Sequence, residues 1–208
     1  MLKFLPLFLI VFSTNVLSEN QSSILEGPTL EVIGTTPVPG LGVSTDEISN
    51  KATISNSEII EKTQAINMTE VLESQAPSLM IGDVQNNPYQ PNLYYRGFIS
   101  SPLLGAPQGL SVFQDGVRIN EPFGDVVNYD LIPTIAISNA TLMSGSNPLF
   151  GLNTLGGALS LRTKSGNDYP GIDSSVLTGS WGRNKLDFAN GGKSGDLDYF
   201  FAGSFFEE

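Results

Sequence analysis

The sequence contains no cysteine and no histidine. Without them it cannot build a Cys/His zinc site, a thiol nucleophile, a Ser-His-Asp relay or a disulfide framework. Charged residues are only 15% of the chain, and no apolar run reaches the ~20 residues that a bilayer-crossing helix requires. Acidic residues outnumber basic ones 21 to 10, giving a formal charge of −11. Nucleic acid is therefore not an expected partner, because phosphate binding needs a basic face. Plain solubility accounts for the acidity as well as a specific role does. No Gly-x4-Gly-Lys-Ser/Thr phosphate loop is present. Carboxylates occur, but no pair stands in a context that marks a hydrolase, so no catalytic residue, metal site or cofactor is expected.

What is present is glycine (22), proline (13) and 40% hydrophobic residues over 208 positions. That suits one globular domain with flanking segments. Residues 1–18 read as a secretory signal. Lys3 supplies the positive start, residues 4–12 form a short apolar core, and Val16 and Ser18 suit a cleavage site ahead of Glu19. Pro6 argues against a buried helix there.

The run Thr29-Leu30-Glu31-Val32-Ile33-Gly34-Thr35-Thr36 is β-prone, and Pro37, Pro39, Gly40 and Gly42 stop it. An isolated strand is open along both edges and can be donated to a partner's sheet. On composition alone, an ordinary linker is the favoured reading. A compact domain is expected from Thr45. Ser57 is expected to cap a short helix over 57–62, and a second helix is expected over 68–75, ahead of Pro77. Residues 79–81 are expected to form a buried strand, and Leu93-Tyr94-Tyr95-Arg96-Gly97-Phe98 one strand ending at a glycine. Residues 110–120 predict a hairpin turning at Asp115-Gly116, since a type I′ turn needs two residues tolerant of positive φ. Strands are expected over 135–143 and 158–163, with a tight turn or a helical turn over 148–151.

After Lys164 come three runs, 172–181, 185–190 and 197–206, bounded by glycines. In the second, Leu186 and Phe188 oppose Lys185 and Asp187; in the third, Leu197, Tyr199, Phe201 and Phe205 share a face. Such alternation suits transmembrane β-strands and a soluble sandwich equally.

The wording of these segments, in this order, resembles the TonB-dependent receptors of Gram-negative outer membranes. Thr29, Leu30, Glu31, Val32, Ile33, Gly34 and Thr35 resemble a TonB box. Arg96-Gly97 resembles the plug's arginine-glycine motif, and Val112-Phe113-Gln114-Asp115-Gly116-Val117 its Asp-Gly hairpin. Gly145, Gly151, Gly156-Gly157 and Thr163-Lys164 resemble the plug's end. The resemblance departs from the family pattern at Ser138-Asn139-Ala140-Thr141-Leu142-Met143-Ser144. There Ser144 stands at the usual arginine and Thr141 at the usual glutamate, leaving Arg96 as the matching plug arginine for barrel carboxylates.

The resemblance implies a signal peptide (1–18), a periplasmic N-terminal segment (19–44) carrying the box (29–36), and a plug domain (45–164). The start of a barrel (165–208) would follow. The implied fold class is an α+β plug, a small mixed sheet with short helices, then the first ~3 antiparallel strands of an incomplete 22-stranded transmembrane β-barrel. A barrel needs several hundred residues, so a fragment, a truncated reading frame or a degenerate receptor is expected. Three open strands cannot satisfy their edges in lipid.

The implied location is the outer membrane, with plug and box facing the periplasm. The implied partners are the TonB C-terminal domain with its inner-membrane energising complex, an extracellular ligand such as a ferric siderophore, and outer-membrane lipid only in the full-length protein. Haem, cobalamin and glycans are alternative cargoes. Residues 86–92 and 100–108 are candidate apical loops. The rival reading is an exported plug-like binding module with no transport activity.

Overall fold

A computed structural model describes residues 32–34, 42–44, 52–146 and 150–207. The expected leader, box residues Thr29, Leu30, Glu31 and Thr35, and positions 148 and 149 of the expected turn lie outside the described residues.

Val32–Gly34 (β1) pairs antiparallel with Gly42–Ser44 (β2). This corrects the expectation of an isolated strand open along both edges.

The central sheet has five strands in the order β3 (Ala52–Asn56), β9 (Ile137–Ser144), β10 (Gly157–Thr163), β7 (Leu110–Gln114), β8 (Val117–Arg118). Only β10 and β7 run parallel, so the sheet is mixed. A smaller antiparallel sheet joins β4 (Leu79–Gly82), β5 (Asn92–Tyr95) and β6 (Phe98–Ser100). Two short helices accompany the sheets, α1 (Ser57–Thr63) and α2 (Met68–Gln75). The N-cap of α1 is Asn56, not Ser57: the Ile59 N–H donates to Asn56 Oδ1 at 3.0 Å. An asparagine already in extended backbone reaches the open N–H groups without distorting the first turn. Asn67 caps α2 in the same way, and Glu70 reaches back to accept from the Ile66 N–H at 2.9 Å.

The apolar faces meet in a main core that includes Val71, Leu72, Leu110, Val112, Leu142, Leu159 and Leu161, and Phe113, Met143, Phe150 and Ala158 form a smaller second cluster. Central β10 is buried at its start, over residues 157–159, and then shows the expected half-buried alternation, with Leu159 and Leu161 buried, Ser160 half-buried and Arg162 exposed. By contrast β4 is only partly buried, with Met80 exposed.

A third sheet, β11 (Gly171–Thr178), β12 (Asn184–Ser194) and β13 (Leu197–Glu207), is antiparallel throughout. It continues the chain from β10 through residues 164–170.

Candidate functional site

Most of the motif residues singled out in the sequence meet one another. The β7–β8 turn has Asp115 at φ 49° and Gly116 at φ 83°, the positive pair that its Asp-Gly dipeptide predicts. The Asp115 carboxylate accepts from the Thr163 N–H at 2.9 Å and from the Thr163 hydroxyl at 2.7 Å. The Asp-Gly hairpin thus clasps the end of β10 at the Thr163-Lys164 pair. Lys164 is buried, and its Nζ lies 3.0 Å from Glu61 Oε1 of α1 and 5.0 Å from the centre of the Tyr169 ring. The start of the linker into β11 is therefore anchored from two elements, the β7–β8 turn and α1.

At the other end of β10, a side chain at Gly157 would collide with the Met143 carbonyl, and one at Gly156 with the Phe98 ring. Glycine there permits close backbone approach. The Gly156 N–H donates to the Gly109 carbonyl at 2.9 Å and the Gly145 N–H to the Gly156 carbonyl at 3.0 Å. Gly145 and Gly151 both hold positive φ.

The arginine-glycine motif differs from expectation. Residues 93–98 are not one strand. Arg96 (φ 51°) and Gly97 (φ 88°) form a two-residue turn between β5 and β6. Glycine at the second central position of that turn relieves the strain, and the aromatic residues on both sides pair as Tyr95 with Phe98. Arg96 is exposed and has no ion pair among the described residues.

Polar contact between the 3-10 turn ahead of β9 and the third sheet runs through residues that sequence reasoning left unassigned. Lys185 and Asp187 lie on the buried face of β12, 3.1 Å apart. Lys185 Nζ also reaches Thr134 Oγ1 at 3.4 Å, in the 3-10 turn Thr134–Ala136, which packs against β12 and β13. Ser175 donates to Asp187 Oδ2 at 3.1 Å, and Ser204 donates to its other oxygen. Every buried charge is thus matched, the condition for keeping an ion pair out of water. A cleft of about 600 Å³ lies beside this cluster, lined among others by Glu61, Gln64, Asp173 and Lys185. At the far end of β13 the Phe206 ring packs on Tyr89, with centroids 4.1 Å apart, tying loop 83–91 to that end. The usable signal for the cluster was the Lys185/Asp187 alternation. It marked a strand but not which face is inside.

The opposite face of the third sheet is apolar and open, carrying Ile172, Val176, Leu186, Phe188, Leu197, Phe201 and Phe205. Trp181, in the β11–β12 turn, is exposed as well.

Among solved structures the chain is similar to the ferripyoverdine receptor of the outer membrane of Pseudomonas aeruginosa bound to ferripyoverdine. The TM-score is 0.63 at 16% identity, over 85% of this chain and 22% of that one. It is also similar to BauA, the ferric preacinetobactin receptor from Acinetobacter baumannii (TM-score 0.57, 18% identity, 79% of this chain and 24% of that one). A third match is the ferric-catecholate import receptor Fiu from E. coli K12 (TM-score 0.56, 18% identity, 82% and 23%). The chain spans less than a quarter of the length of each, and at these identities the likeness is one of fold: a plug domain and the start of a barrel that is not closed here. The family model of the TonB-dependent receptor plug domain matches residues 44–158, more than half of the chain, and the chain belongs to that family.

Proposed function

We propose that this chain is the N-terminal part of a TonB-dependent outer-membrane receptor for energised uptake of a scarce ligand, an iron–siderophore complex. In this reading residues 1–18 are an export signal, 19–44 a periplasmic segment carrying the box at 29–36, 45–164 the plug, and 165–208 the start of the barrel. The observation that carries the reading is the junction at residues 164–170. A plug sheet ends at β10, and the next sheet puts Lys185 and Asp187 against the plug while its outer face is apolar. That inversion suits strands between a filled lumen and lipid. In the full receptor the plug blocks the lumen, and ligand binds on plug apices and barrel loops. The TonB C-terminal domain captures the box as an added strand, and the inner-membrane proton gradient supplies the energy. β1 offers backbone for that capture on the edge that β2 does not occupy.

The test is a calorimetric titration of the TonB C-terminal domain with a peptide spanning 29–36. Binding is expected, and Val32→Pro abolishes it by removing a ladder donor. Unchanged affinity of the proline variant removes the box assignment.

A further inference from the structure

Three plug loops converge at the end of the central sheet opposite the Thr163–Asp115 clasp. Because β7 and β10 run parallel, the segments entering them lie side by side, and the Leu155 and Gly156 N–H groups both donate to the Gly109 carbonyl, at 3.2 and 2.9 Å. Residues 121–127 join them. The Val127 N–H donates to the Ser101 carbonyl at 3.1 Å, and the Asn153 amide donates to Asp125 Oδ2 at 2.6 Å. Gln108 is buried and staples loop 101–108. Its oxygen accepts from the Ser101 N–H at 2.9 Å, and its amide donates to the Ser101 and Leu103 carbonyls at 3.2 and 3.4 Å.

On this hydrogen-bonded frame the large exposed side chains include Leu104, Phe123, Leu152 and Leu155, with Glu121 the exposed charge among them. Leu104 lies against Gly124, beside Phe123. Residues 101–108, 121–127 and 151–155 include no lysine or arginine; their only charges are Glu121 and Asp125. The neighbouring Arg118 is committed to Asp125 at 2.8 Å. Large apolar groups held out into water on a rigid frame mark a binding surface.

We propose that this apex selects its ligand by polarity and takes an uncharged metal chelate with an apolar face in preference to a polyanionic one. The inference rests on the receptor reading above and narrows its ligand class. An uncharged chelate removes leucine and phenylalanine surface from water at no electrostatic cost. A polyanion meets the Glu121 carboxylate, an Asp125 already paired with Arg118, and no free cation on these loops, so nothing on them offsets its charge.

The test is equilibrium dialysis of the whole chain against radio-iron-labelled probes: an uncharged iron(III) tris-hydroxamate and a trianionic iron(III) tris-catecholate. The uncharged complex is expected to bind at least roughly tenfold more tightly. Leu104→Ser and Phe123→Ser each weaken it roughly tenfold, with circular dichroism unchanged because both side chains are exposed. Leu104→Lys raises affinity for the trianionic complex. Equal or tighter binding of that complex to the unmodified chain overturns the proposal, as does failure of the folded chain to bind either one. Titration of the box peptide separates the two readings. Box binding without chelate selectivity removes only the apex assignment. Chelate selectivity without box binding keeps the apex assignment and removes the box assignment.

Discussion

The plug and the strands that follow it use the same β-sheet chemistry with opposite sign. In the plug, Leu142, Leu159 and Val112 are buried and the charged side chains mostly face outward. In the third sheet, Lys185 and Asp187 are 5% and 7% exposed, while Phe201 and Phe205 are 66% and 64% exposed. Periodicity of two fixes that a segment is a strand and which residues share a face. It does not fix which face is covered. Coverage is decided by the neighbours: here, on one side, a plug domain that supplies hydroxyls such as Thr134 to a buried ammonium.

The sharpest way to break this contrast is to damage each interior in turn. Leu159→Ala, in the middle of the central sheet, is expected to cost about 4 kcal/mol of unfolding free energy in urea, as transfer loss and cavity add. A cost near that of a surface change would mean that the plug core is not the stabilising unit. Asp187→Asn leaves the Lys185 ammonium buried without its counter-charge and is expected to cost about 3 kcal/mol, read as lost hydrogen-exchange protection along β12. The double change Lys185→Met with Asp187→Leu should cost less than the single one, because no charge is left stranded. If it costs more, the pair is held by contacts beyond mutual charge.

A smaller effect is expected at Tyr129, whose hydroxyl donates to Ser100 Oγ at 2.8 Å inside the plug. Burial pushes this phenol above its ordinary value of 10.0, and the Ser100 hydrogen bond only partly opposes the shift. Above pH ~10 the unfolded phenol loses its proton while the folded one keeps it. Its contribution to stability is therefore complete below that pH and declines as pH rises. Tyr129→Phe should flatten the alkaline decline and cost about 1 kcal/mol at neutral pH. Identical alkaline slopes in the two proteins would remove the assignment. The smallest effect belongs to the outer face. Phe205→Ser should change stability in water by no more than about 0.5 kcal/mol while lowering partition into phospholipid vesicles. A large loss in water would mean that this face packs on protein, and the comparison would collapse.

Local features were the most legible in the sequence. The Asp115-Gly116 turn and the helix Met68–Gln75 follow from residues only a few positions apart. The parallel pairing of β7 with β10 joins residues more than forty positions apart, and no local pattern encodes it. The turn at Arg96-Gly97 was hidden because tyrosine and phenylalanine on both sides look like one continuous strand, and arginine rarely takes positive φ. The glycine one place later was the available clue. The buried pair on β12 was visible as alternation but silent on direction. Asp115 and the Thr163-Lys164 pair were thus readable as motifs, while the clasping of Asp115 to Thr163 and of Lys164 to Glu61 required the fold.

The position of β3 bears on how the plug would respond to force. It is an edge strand, hydrogen-bonded on one side only, to β9, and its first paired residue, Ala52, sits opposite Met143 near the Gly157 end. The Asp115–Thr163 clasp lies at the other end of the sheet. Tension on the chain ahead of Ala52, drawn toward the clasp, would load the β3–β9 ladder one rung at a time from that first residue. Such peeling needs little force compared with sliding whole strands past each other. The β7–β10–β9 centre, fastened at both ends of β10, would be loaded only after the edge had gone. The sheet is built like a strip with one tear-off margin and a stitched middle.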